Sequence, residues 1–112
     1  MSEGGKYHME EYRVIYKILK HLEKSLDFEE PDHTPIEAGS LKITEPKWAR
    51  LMKMLVDEGY IKGVLVANYP EMSYPLVKLV NPTITLKGIE YLKENSLMKK
   101  ASDLAKGIAE IL

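Results

Sequence analysis

In the first third of the chain, Tyr12, Ile15, Ile18, Leu19, Leu22 and Leu26 recur at steps of three and four. That spacing predicts an apolar stripe on a helix from Met9 to about Leu26. Arg13, Lys17, Lys20 and Lys24 fall on its polar side, either as a solvated face or as a stripe for acidic or phosphate groups. Residues 1–8, with paired glycines and no periodic apolar pattern, read as a flexible arm. The run from Asp27 to Pro35 holds two prolines and several acids without periodicity, which predicts a loop. Ile36 to Ser40 fits a short helix or an extended turn.

Thr44-Glu45-Pro46 opens a stronger signal. Threonine is a good N-cap, an acid suits the positive end of a helix, and proline is tolerated in a first turn whose amides need no intrahelical acceptor. Trp48, Leu51, Met52, Leu55 and Val56 then mark the inner face of a helix that Gly59 stops. Tyr60–Val66 and Leu76–Val80 are rich in β-branched and aromatic residues and predict two strands. They are joined by the long loop Ala67–Pro75, and Asn81-Pro82 is expected to break the second. Thr85 caps a further helix with Leu86, Ile89 and Leu92 inward, Asn95-Ser96 reads as a junction, and 96–112 form a separate amphipathic helix.

Composition narrows the chemistry. The 112 residues contain no cysteine, 16 Lys plus Arg and 17 Asp plus Glu. This length supports one ordinary core. Without cysteine there are no disulfides, thiolate metal sites or cysteine nucleophiles, which fits a reducing cytoplasm. No apolar segment approaches a membrane span or a secretory h-region, so the expectation is a cytoplasmic protein with no membrane partner.

The element order predicts an α+β domain of winged-helix type over 9–95: a helix-turn-helix with a two-stranded β-hairpin wing, followed by C-terminal helices. Five stretches sharpen this: Tyr16–Lys20, Ile43–Trp48, Asp57–Val64, Asn81–Leu92 and Glu94–Lys100. Through them the chain resembles the YjcQ family of small bacterial and phage proteins over nearly its whole length. The resemblance implies a winged-helix-like fold and a phage or prophage setting, in a family without an established biochemical activity. The departure lies at Pro35–Ser40, where the second helix of a helix-turn-helix belongs.

Catalytic signatures are missing. His8, His21 and His33 sit in the arm or helix start, on a polar helix side and in an acidic loop, forming no metal pair or triad in sequence, and the glycines are scattered. The expectation is a protein that is not an enzyme and carries no cofactor and no metal. For DNA, the helix after Thr44 would enter the major groove with Lys47, Arg50 and Lys53, Arg50 first for a guanine edge, while the Thr44 helix start and Lys62 meet phosphates. Glu45, Asp57, Glu58 and a loop with one acid and no base oppose this, so double-stranded DNA binding is expected to be weak and salt-sensitive. The alternative is a protein-interaction module that binds a host protein through Tyr69, Met72 and Tyr74, unless those side chains fold back on the hairpin. The last helix either completes the core or forms a homodimer through Leu97, Ala101, Leu104 and Ile108.

Overall fold

The computed structural model describes the backbone of residues 2–106 and the side chains of residues 10–96. Its elements are helix α1 (Ser2–Ser25), a 3-10 turn (Thr34–Ile36), helices α2 (Ala38–Leu41) and α3 (Glu45–Asp57), strands β1 (Ile61–Ala67) and β2 (Leu76–Ile84), and helix α4 (Leu86–Lys106). Among the described residues the architecture is α+β, with one antiparallel two-stranded sheet and four α-helices. Among the described residues, no helix is long and apolar enough to cross a membrane.

Helix α1 begins before its apolar stripe, so residues 2–8, expected as an arm, are helical backbone. Its buried face is Val14, Ile18, Leu19 and Leu22, whereas Tyr12 and Leu26 at the two ends of the predicted stripe are exposed. The reasons are geometric: Tyr12 stands two positions from Val14, off the line that Val14, Ile18 and Leu22 define, whereas Leu26, next on that line, falls beyond the end of the helix at Ser25. Beyond Ser25 the helix unwinds through tightened turns, Leu26, Asp27 and Phe28 donating to carbonyls three residues back.

Trp48, Ala49, Leu51, Met52 and Leu55 carry α3 into the core, where they meet Ile36, Ala38 and Leu41 from the short elements, Ile61 and Ile84 from the strands, and Leu92 from α4. The Trp48 indole donates from Nε1 to the Ile36 carbonyl at 2.8 Å, so its one polar atom is satisfied inside. Thr44 caps α3 as expected, its Oγ1 accepting from the Lys47 amide at 3.3 Å. Lys42, at φ 61°, closes α2 in the left-handed conformation and turns the chain toward that cap.

The second strand does not stop at Asn81-Pro82. It runs to Ile84, with Lys62 paired to Thr83 and Val64 to Leu79, so Val80, Asn81 and Pro82 together oppose Gly63. Proline is accommodated because it falls in this irregular stretch, where no ladder partner calls for its missing N–H. Gly63 makes the irregularity feasible: its φ is 78°, and a Cβ there would stand 1.9 Å from the Asn81 carbonyl oxygen.

Two further expectations change at α4. The helix is continuous from Leu86 to Lys106, so Asn95-Ser96 is not a junction and residues 96–106 are not a separate helix. Asn95 stays helical by donating its side-chain amide to the Tyr91 carbonyl at 2.8 Å, and the Ser96 hydroxyl meets the Tyr16 hydroxyl of α1 at 3.1 Å. Leu92 is buried and Ile89 packs at the core margin, but Leu86 is 80% exposed because it sits at the first turn, outside the packed stripe. At that turn Thr85 ties three elements together: its Oγ1 donates to the Gly59 carbonyl at 2.5 Å and accepts from the Gly88 amide at 3.1 Å.

Candidate interaction surface

The outer side of α3 was expected to offer Thr44, Lys47, Arg50 and Lys53 to a nucleic acid, and each is engaged within the fold. The Thr44 hydroxyl is used as the helix cap. Lys47 reaches across to α1, with Nζ 2.6 Å from Glu10 Oε1 and 3.7 Å from Glu11 Oε2. The hydrogen bond with Lys47 holds the Glu10 carboxyl below its ordinary range, and the same contact raises the Lys47 ammonium. Lys53 pairs with Asp57 one turn on, at 2.6 Å. Arg50 donates from Nη2 to the Ser73 carbonyl at 2.8 Å, fastening α3 to the loop between the strands. Lys62 lies exposed on β1.

These pairs are individually weak, since water and salt screen exposed ion pairs and holding two long side chains together costs entropy. Their effect on the surface field is larger than their effect on stability. A phosphate approaching Lys47 also approaches Glu10 and Glu11, and one approaching Lys53 meets Asp57.

Beside these cations α1 and α3 leave a groove of about 550 Å³. Tyr12 and Ile15 line one wall, Pro46, Arg50, Leu51 and Met54 the other. Tyr12 is 60% and Met54 56% exposed. Arg50 lines the groove and is also bonded to the loop of residues 68–75. In that loop the expected aromatic group divides. Tyr74 turns inward and packs against the core, while Tyr69 and Met72 remain 48% and 39% exposed, with the Met72 amide turning back onto the Tyr69 carbonyl at 3.0 Å. The residues expected to mediate dimerisation, Leu97, Ala101, Leu104 and Ile108, lie outside the described side chains.

Among the contacts that the sequence did not reveal are Glu10 with Lys47, Arg50 with Ser73, and His21 with His33. The first two leave no local signal, because the partners are separated by 37 and 23 residues. The third brings together two histidines read as unrelated, His21 Nε2 lying 3.2 Å from His33 Nδ1 with the rings edge to face at 79°. Partial burial lowers the His33 pKa, neighbouring His21 lowers it further, and Asp32 opposes both. Among the described residues no group of three or more metal-ligating side chains is gathered, and no buried side-chain polar atom lacks a hydrogen-bond partner.

Comparison with known proteins gives a consistent family. A solution NMR structure of the YjcQ protein from Bacillus subtilis is 31% identical, with a TM-score of 0.49, covering 74% of this chain and 92% of that one. The uncharacterized protein YjcQ of Bacillus subtilis strain 168 is 34% identical over 102 residues, which is 91% of this chain and 97% of the relative. The family model described as YjcQ protein matches residues 16–111, and the chain belongs to the YjcQ family.

Proposed function

We propose that the chain is a non-enzymatic binding module on a winged-helix plan, in which the α1–α3 groove and the exposed part of the β1–β2 loop form one contact surface for a protein partner. Arg50 carries this reading. Its guanidinium is committed to the Ser73 carbonyl, and it joins a groove walled by Tyr12 and Met54 to a loop presenting Tyr69 and Met72. Tyrosine, methionine and arginine are the side chains enriched at the centres of protein interfaces, where they bury much area around few polar groups. The winged-helix plan is supported by the order of helices and hairpin. The phage or prophage setting rests on the family resemblance, and the cytoplasmic one on the cysteine-free composition.

The second reading is weak binding of duplex DNA by α3. It is favoured by the capped N-terminus of that helix together with the exposed lysines Lys42 and Lys62. A two-fold dimer through Leu97, Ala101, Leu104 and Ile108 would then supply avidity. Anisotropy with a random labelled duplex, run from low to physiological salt beside sedimentation, separates the two. The protein-partner reading expects no saturable binding at low salt. Saturable binding that weakens steeply with salt and is lost in Arg50→Ala with Lys53→Ala would replace it with the DNA reading.

A further inference from the structure

We propose that His21 and His33 form a two-histidine site for a divalent transition-metal ion of the zinc and copper class, which clamps the loop after α1 onto that helix. The ring nitrogens that face one another are 3.2 Å apart, although 12 residues separate them in sequence. A tetrahedral ion lying about 2.0–2.1 Å from two imidazole nitrogens holds those nitrogens roughly 3.3–3.4 Å apart. The pair therefore has close to the nitrogen separation of such an ion's ligands, and the ion would replace the hydrogen bond that now joins the rings. Imidazole is a ligand that selects this class over magnesium or calcium.

The surroundings match the charge of a cation. Asp32 precedes His33, and its Oδ1 accepts from the Thr34 amide at 3.1 Å and the Thr34 hydroxyl at 2.8 Å, which fixes the carboxylate beside the loop histidine. Both histidines are half-buried, so the site is held by the fold yet open to water for the remaining coordination positions. On the helix side, Ser25 anchors the turn that carries His21 by donating to the His21 carbonyl at 2.8 Å. The site does not include the groove residues and is independent of the partner proposed above.

The test is a calorimetric titration of tag-free protein with zinc chloride, with melting curves and histidine ring ¹⁵N spectra on the same samples. One ion binds per chain, the Nε2 signal of His21 and the Nδ1 signal of His33 shift together, and the melting midpoint rises by roughly 11 °C at about 100 times Kd. His21→Gln and His33→Gln each weaken binding by about tenfold or more, since a lost ligand costs at least what a lost supporting group does. His8→Gln leaves binding unchanged. An absence of saturable binding at millimolar zinc, or binding that survives His21→Gln and His33→Gln while vanishing in His8→Gln, overturns the proposal and leaves the pair as an ordinary hydrogen bond.

Discussion

An alanine at position 63 would bring its Cβ within 1.9 Å of a backbone oxygen, at a φ of 78° that side chains rarely adopt. Either the bulge against Val80–Pro82 opens or the strand slips, so Gly63→Ala should lower unfolding free energy by about 2–4 kcal/mol in denaturant titrations. A loss under about 0.5 kcal/mol would show that the hairpin does not require the bulge. Lys42 presents the opposite case, a side chain held at φ 61° with no Cβ-free alternative. Left-handed backbone costs a non-glycine residue about 1–2 kcal/mol, part of which glycine returns through its looser unfolded state. Lys42→Gly should therefore stabilise by about 0.5–1 kcal/mol, and destabilisation would contradict the closure assigned to it. Single residues with a local role were readable in the sequence, as Thr44 and Gly59 show. Gly63 was not, because a glycine inside a β-rich run carries no mark of which partner strand it will meet.

Helix α4 shows how tertiary contacts override a local signal. Asparagine and serine favour helix ends because their side chains compete for backbone groups. Here Asn95 spends its amide on the preceding turn and Ser96 on Tyr16 of α1, which removes the competition. A proline at 95 distinguishes a continuous helix from a junction. Asn95→Pro should cost about 3 kcal/mol, with a loss of helical circular dichroism, since an interior proline removes a hydrogen bond and clashes with the turn before it. A junction would accept the substitution with little change. For α3 the local signals and the packing agree, and its cap, inner face and stop were all legible. What stayed hidden was its outer face, because the partners of Lys47 and Arg50 come from α1 and the hairpin loop.

At the scale of the molecule, the formal charge of -1 is distributed so that candidate reading cations stand beside acids or carbonyls. The Glu10–Lys47 pair gives this arrangement a pH signature. Glu10 titrates below its ordinary value of 4.5 in the folded chain, so its contribution is present above that value and lost as pH falls through the folded pKa. Glu10→Gln should lower stability slightly at neutral pH and converge with the unsubstituted chain as pH falls from about 5 to 3, which flattens the acid limb. An unaltered acid limb would mean that the α1–α3 tether is not maintained in solution.

Under the proposed function, the α1–α3 groove and the loop beside it meet a protein rather than a phosphate backbone. Photo-crosslinking from single benzoylphenylalanine residues at 54 and 72 tests it most directly, with position 29 as the control. Glu29 is exposed beyond the end of α1, and the helix from Tyr12 to Ser25 alone spans about 20 Å. A protein partner on this surface gives the same discrete adduct from positions 54 and 72, absent from position 29, sensitive to protease, resistant to nuclease and lost when Tyr69 and Arg50 are changed to alanine in a folded chain. A nuclease-sensitive adduct, or equal labelling from all three positions, would contradict it.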